Sequence, residues 1–251
     1  TTSIKVSTQN LMPQNRLRLD KVFNDKKIQN NYDKNLKFIS NLKLPEYTGG
    51  VNTGDQKAIF FIVSHFKFKK VLEIGTHIGC SLTNILLAMK DYSFENLKVD
   101  CIDEIDVNNE DKLNWLIYSS KYSPLQIVKK IKTSFKVNFY KKKSKIFLEN
   151  CNEFYDFIFI DGSHKSYDAY YDITLSLKKL NKNGLILLHD YFKIPKEKNK
   201  ISIIKKYKTG VFLACEKIKK ENPNIKIIPI ESLPWSTKIN SSHTSLAIIA
   251  R

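Results

Sequence analysis

Four apolar runs in this 251-residue chain enclose, or end on, residues able to do chemistry. Val71-Leu-Glu-Ile74 carries an acid, Glu73, among aliphatic neighbours and runs into Gly75-Thr-His-Ile-Gly79-Cys-Ser81. A carboxyl group inside such a run needs a donor, because burying it unpaired is costly. Gly75 and Gly79 let the backbone approach a ligand and adopt dihedrals closed to other residues. Val99-Asp-Cys-Ile102 ends on Asp103, whose oxygens can accept from a pair of hydroxyls. Phe157-Ile-Phe-Ile160 ends on Asp161, followed by Gly162-Ser-His164-Lys165, and Leu185-Ile-Leu-Leu188 ends on His189-Asp190. Two carboxylates at strand ends suit a hard divalent cation such as Mg2+. His164 is a candidate general base, and His189 is a candidate ligand or base. Each has a bland reading as well: Asp161 can cap the next helix, and a strand-end histidine can be a satisfied polar residue.

The elements that must position these groups alternate regularly after Gly50. Strands are expected at Val71–Ile74, Val99–Ile102, Phe135–Tyr140, Tyr155–Ile160, Leu185–Leu188, Ile225–Ile230 and Ser245–Ala250. Between them, helices are expected from Asp55 (as cap) to Phe66, over Ser81–Met89, in pieces at Leu113–Tyr118 and Pro124–Ile131, around Lys145–Asn150, over Tyr167–Leu180 stopped by Asn183-Gly184, and over Val211–Lys220. Strands apolar at consecutive positions are buried on both faces, as in a parallel sheet between helix layers. The fold class is therefore α/β: a doubly wound, Rossmann-like sheet of seven strands, mostly parallel. The last two strands have no helix between them and form an antiparallel C-terminal hairpin. Residues 1–52 form an N-terminal helical extension with a helix at Tyr32–Leu42, closed by Pro45 and the Gly49-Gly50 pair. It is expected to act as a lid or as a dimerisation arm through which a homo-oligomer forms, and residues 53–251 form the main domain.

Forty-two basic against 25 acidic residues give a net charge of +17. Only Arg16, Arg18 and Arg251 are arginines, the residue that reads phosphates and guanine edges best, so the excess reads as a solvated lysine coat. Nucleic acid is not the expected partner. Cys80, Cys101, Cys151 and Cys215 are widely spaced, lack a zinc-site pattern and suit a reducing compartment. With no membrane-length apolar run and no secretory segment, the chain reads as cytoplasmic, with no membrane partner.

Glu73-x-Gly75-x-x-x-Gly79-x-Ser81 resembles motif I of the class I S-adenosylmethionine-dependent methyltransferases. The resemblance covers about Thr53 to Arg251 and implies a cofactor site at Glu73, Gly75, Thr76, His77, Gly79 and Ser81, with Asp103 on the ribose hydroxyls. Ser144 falls where a small residue contacts the adenine, and Thr53-Gly54-Asp55-Gln56 is similar to a segment that closes over the cofactor. The Asp161-Gly-Ser-His164 and His189-Asp190 segments resemble a subgroup related to catechol-type and sugar O-methyltransferases. In those enzymes the strand-end aspartates hold a divalent metal, which implies Asp161 and Asp190, with His189 as a further ligand; Tyr191 stands where the family's Asn ligand would be. His164 occupies the position of the catechol-type lysine base, with Lys165 beside it and Asp161 in the catalytic group. The implied reaction is methyl transfer to a hydroxyl of a small molecule, a sugar or secondary metabolite, assisted by Mg2+. Trp235 and the Phe192–Lys208 stretch are expected to shape the acceptor pocket. The rival readings are a nucleic-acid methyltransferase using the basic surface and a non-catalytic S-adenosylmethionine-binding protein; the D/N-P-P-Y/F signature of the former is absent.

Overall fold

The computed structural model describes residues 3–45, 50–193 and 209–251. Gly49, and the part of the Phe192–Lys208 stretch beyond Lys193, lie outside the described residues. In chain order the elements are α1 (Leu19–Phe23), α2 (Lys26–Leu42), α3 (Thr53–Phe66), β1 (Lys70–Ile74), α4 (Cys80–Met89), β2 (Lys98–Asp103), α5 (Asn114–Ile117), α6 (Pro124–Ile131), β3 (Lys136–Lys141), α7 (Ser144–Asn150), β4 (Tyr155–Ile160), α8 (Ser166–Leu177), β5 (Leu180–Leu188), α9 (Gly210–Glu221), β6 (Lys226–Pro229) and β7 (Ala247–Ala250). One seven-stranded sheet has the order β3-β2-β1-β4-β5-β7-β6. Strands β1 to β5 are parallel, and β7 pairs antiparallel with both β5 and β6. The expected doubly wound sheet with its antiparallel C-terminal pair is what the chain forms.

Strand residues alternate between two apolar layers. Val71, Val99, Phe157, Phe159, Leu185 and Leu187 face the layer containing α3 and α4 residues such as Ile59 and Leu82. Leu72, Ile74, Ile158, Ile160, Ile186 and Leu188 face the opposite layer, with Ile173 of α8 and Ile218 of α9. The core strands thus bury both faces, each enclosed Ile or Phe contributing about 1.5–3 kcal/mol of transfer free energy. From β1 the chain winds to β2 and β3 on one side, and from β4 to β5 on the other. The crevice between the carboxyl ends of β1 and β4 is the switch point where this architecture opens a ligand site.

Several boundaries differ from the sequence expectation, three helix ends among them, and β5 starts at Leu180 instead of Leu185. Helix α2 starts at Lys26, not Tyr32, because Asp25 caps it by accepting from the Lys27 and Ile28 N–H groups at 2.8 and 3.2 Å. Helix α3 is capped by Asn52, not Asp55, whose own N–H donates to Asn52 Oδ1 at 2.9 Å. Helix α8 ends at Leu177, and Asn183-Gly184 lies inside β5 instead of stopping a helix. There the N-terminal segment joins the sheet: Met12 N–H donates to the Gly184 carbonyl and Gly184 N–H to the Asn10 carbonyl, both at 2.9 Å. Leu17, Val22, Phe23, Ile28, Tyr32 and Leu42 share the buried layer of α3, with the Tyr32 ring 5.1 Å from Phe60. The N-terminal extension is thus packed into the core of the chain that carries it.

Candidate active site

Strand β1 delivers Gly75, His77 and Gly79 in left-handed conformation, with φ of 88°, 49° and 82°. A Cβ on Gly75 would meet the Asp161 carbonyl oxygen, so the turn after β1 lies directly on the turn after β4. Asp103, at the end of β2, accepts the His77 N–H on Oδ2 and the Ile105 N–H on Oδ1, each at 2.9 Å. Those two donors orient its carboxylate and leave each oxygen with acceptor capacity. Glu73 is fully buried beneath this loop, and the Ser81 hydroxyl donates to its Oε1 at 2.6 Å. Ser81 therefore acts here as the partner that Glu73 requires. The Glu73 Oε2 and Thr76 Oγ1 atoms have no hydrogen-bond partner among the described residues. Burial pushes the Glu73 carboxyl up to about 8. The His77 ring packs edge-on against Tyr118 at 4.2 Å, and burial lowers its pKa.

Ser144 opens α7 after β3, and its hydroxyl donates to Oδ1 of Asp172 on α8. Asp172 is buried, and desolvation pushes its carboxyl up to about 6. The sequence reading did not single it out, although Ala169, Asp172, Ile173 and Ser176 fall on one helical face and all are buried.

The acids and histidines converge where β4 and β5 end. His164 Nε2 lies 2.9 Å from Asp190 Oδ2, and His189 Nδ1 lies 3.0 Å from Asp161 Oδ1 and 3.4 Å from Asp190 Oδ1. Asp190 reaches this position with φ of 55°. Burial alone would raise the Asp190 pKa, but the hydrogen bonds from both histidines outweigh it and hold the carboxyl well below the usual range. His164 is raised, chiefly by its hydrogen bond to Asp190. His189 is raised further: its burial is outweighed by Asp161, Asp190 and Asp55.

Ligand atoms of Asp161, His164 and Asp190 all lie within 4.8 Å of one another. Two carboxylates and an imidazole, all half-buried, are a donor set that Mg2+ or Mn2+ accepts. His189 is not in that group; its nitrogens face carboxylates instead. Lys165 occupies the N-cap position of α8 and is exposed, outside the cluster. The N-terminus of α9 abuts the His164 turn, since a Cβ on Gly210 would fall 1.9 Å from the His164 carbonyl oxygen.

Asp55 enters this cluster, a role that its place in the first turn of a helix concealed. It is fully buried, with Oδ2 accepting from Asn52 Nδ2 at 2.6 Å and lying 3.4 Å from His189 Nε2. Trp235 fixes the same turn: its Nε1–H donates to the Gly54 carbonyl at 2.9 Å, and its ring packs against Phe61 at 4.9 Å and Phe23 at 5.7 Å. Trp235 is thus tied into the core over α3.

Residues 72–191 match the family described as "Methyltransferase domain". Over 139 residues the chain is 30% identical to the Dictyostelium discoideum protein named "Probable caffeoyl-CoA O-methyltransferase 3", an alignment covering 53% of this chain and 48% of that protein. The chain thus spans about half the length of this curated relative. Among solved structures, the SAH-bound Podospora anserina methyltransferase PaMTH1 is 16% identical, with TM-score 0.58 over 96% of this chain and 97% of its own. The Bacillus cereus O-methyltransferase in complex with SAH is 15% identical, with TM-score 0.58 over 88% and 91%. At these identities the structures show a shared fold.

Proposed function

We propose that this chain is a class I S-adenosylmethionine-dependent methyltransferase that methylates a hydroxyl group of a small molecule with the help of a divalent cation. The observation that carries the reading is the convergence of Asp161, His164 and Asp190 at the same sheet edge as the Gly75–Gly79 loop. The cofactor supplies an electrophilic sulfonium methyl group, and the cation supplies Lewis acidity to the acceptor hydroxyl.

The chain's own residues then have separable tasks. Gly75 and Gly79 keep side chains out of the cofactor's path, and Asp103 offers its remaining acceptor capacity to the ribose hydroxyls. Glu73, with one oxygen unpartnered, anchors the loop and offers a negative charge under the cofactor's ammonium. Asp161, His164 and Asp190 hold the cation, and Mg2+ is the ion that a carboxylate-rich set favours. Asp190 keeps its charge through its two histidine partners. In this reading His164 serves as the third ligand, and its direct partnership with Asp190 at 2.9 Å competes with service as a free base.

The relative's name, with caffeoyl-CoA as methyl acceptor, supports a hydroxylated acceptor. The lysine-rich surface supports an acidic or phosphorylated one. Four free cysteines fit a reducing, cytoplasmic setting.

Calorimetric titration with S-adenosylmethionine, SAH and NAD side by side tests the cofactor assignment. Binding of the first two is expected; binding of NAD alone overturns it. Transfer of labelled methyl to a panel of hydroxylated compounds, with and without EDTA, tests the rest. Transfer that EDTA leaves intact overturns the metal-assisted mechanism.

A further inference from the structure

Helices α8 and α9 leave a surface groove of about 210 Å3 between them, lined by Ser166, Tyr167, Tyr170 and Tyr171 of α8 and by Leu213 and Lys217 of α9. None of these residues belongs to the proposed cofactor or cation sites. Tyr167 and Leu213 are 56% and 41% exposed, so the groove keeps apolar area that folding left in water. Its rings hold one another in place. The Tyr167 and Tyr170 rings lie against Tyr171 with centroids 4.8 and 5.6 Å away. Tyr170 is also pinned at its tip, where the hydroxyl donates to Glu221 Oε2 at 2.6 Å and accepts from the Ile4 N–H at 3.0 Å.

Two ammonium groups lie on these rings. Lys217 Nζ is 4.0 Å from the Tyr170 centroid, and Lys145 Nζ, from α7, is 4.5 Å from that of Tyr171. The neighbouring acids are engaged or distant. Glu221 lies 3.8 Å from Lys217 but also takes the Tyr170 hydroxyl, Glu149 lies 3.9 Å from Lys145, and Asp168 accepts from the Ser163 hydroxyl at 2.8 Å. Ion pairs this long on a wet surface hold little, so the lysines keep their attraction for a further anion.

We infer that this groove binds a planar aromatic carboxylate of one ring, the ring packed among the tyrosines and the carboxylate met by Lys217 and the Ser166 hydroxyl, with Lys145 adding positive charge beside Tyr171. The inference stands on the groove alone and does not depend on the methyl-transfer reading. Tyrosine faces and edges supply the offset and edge-on contacts that aromatic pairs prefer, and the ammonium groups set the sign of the ligand's charge. Space sets its size. Drug-sized ligands fill pockets of about 300–1,000 Å3, so this smaller groove takes a single substituted ring.

Benzoate, benzyl alcohol and cyclohexanecarboxylate are the probes, titrated into the full chain with ring-labelled tyrosine and followed by 1H–13C correlation. Benzoate is expected to bind with a Kd of about 1 mM and to shift three tyrosines, those of the groove. The alcohol lacks the charge and the cyclohexane acid lacks the π face, so each is expected to bind about tenfold more weakly. Lys217→Glu is expected to weaken benzoate about tenfold and to leave benzyl alcohol unchanged. Tyr167→Ala, at an exposed position, is expected to weaken benzoate with Tm within about 2 °C of wild type. SAH affinity is expected to stay within about twofold of wild type in both variants. Equal affinity for the three probes, or no benzoate binding up to about 20 mM, overturns the inference. Benzoate binding undiminished in both variants places the acid elsewhere and overturns it too, as does a parallel loss of SAH affinity. Sedimentation that shows a dimer in wild type and a monomer in Lys217→Glu assigns the groove to a second copy of the chain instead.

Discussion

Gly75 and Asp161 are in backbone contact: a Cβ added to the glycine would lie 2.0 Å from the aspartate's carbonyl oxygen. The loop proposed to hold the cofactor and the loop proposed to hold the cation therefore share one wall, with Asp161 N–H also donating to the Ile74 carbonyl at 2.9 Å.

Gly75→Ala must both displace that wall and place a side chain at φ 88°. A penalty of about 4 kcal/mol is expected, or roughly 8–16 °C in Tm for a chain of this length. Differential scanning calorimetry measures the first effect. Calorimetric titration should show weakened affinity for both SAH and Mn2+, since one loop cannot move without the other. Loss of SAH affinity with Mn2+ affinity unchanged would show that the two loops move independently.

A second prediction concerns protons. The Glu73 carboxyl, pushed up to about 8 by burial, is largely protonated at pH 7 in the cofactor-free chain. A cofactor ammonium placed over it favours the charged form, so S-adenosylmethionine binding at pH 7 should release protons. Binding enthalpies measured in buffers of different ionisation enthalpy reveal the release, and Glu73→Gln should abolish it. Buffer-independent enthalpy in the wild type removes Glu73 from the ammonium site. The linkage has a definite sign for folding too. The folded pKa lies above the ordinary carboxyl value of 4.5, so this contribution is complete below about 4.5 and is lost as pH rises through about 8.

The parts of this site that were legible in sequence are those written locally. Glu73, Gly75, Gly79, Asp103, Asp161 and Asp190 each sit at the end of an apolar run or just inside it, and parallel strands bring their carboxyl ends to one edge. The Asp55–His189 pairing was not legible, because it joins a helix start to a strand end far away in the chain. At a helix start an acid already has a sufficient local explanation as a cap; Asn52, three residues earlier, took that role. The end of α8 was hidden differently. Leu177 and Leu180 are both apolar and buried, so hydrophobic pattern alone cannot mark where helix gives way to strand.

Replacing His164 separates a ligand from a base. As a ligand beside Asp190, its loss in His164→Ala should raise the Mn2+ concentration for half-maximal binding about 10–100-fold, with SAH affinity changed less than about threefold. Raised metal concentration should then restore part of the turnover. Electron paramagnetic resonance counts the bound ion, and methyl-transfer assays follow the restoration. A variant that binds Mn2+ normally yet turns over slowly at every metal concentration would return His164 to the role of general base.

Asp172 provides a prediction independent of metal and acceptor. Its folded pKa of about 6 exceeds the ordinary value of 3.8, so the stability it confers is complete below about 3.8 and is lost as pH rises through about 6. A shift of that size corresponds to about 3 kcal/mol between the two ends of the window. Asp172→Asn keeps an acceptor for the Ser144 hydroxyl but removes the ionisation. Urea unfolding at pH 4 and pH 7.5 should therefore show the variant gaining on wild type as pH rises, by about 2–3 kcal/mol. Equal differences at both pH values would mean that Asp172 ionises in the fold as freely as in the unfolded chain. If adenine binds beside Ser144, SAH should restore part of the wild-type loss near pH 7, because a ligand that donates to the Asp172 carboxylate favours its charged form.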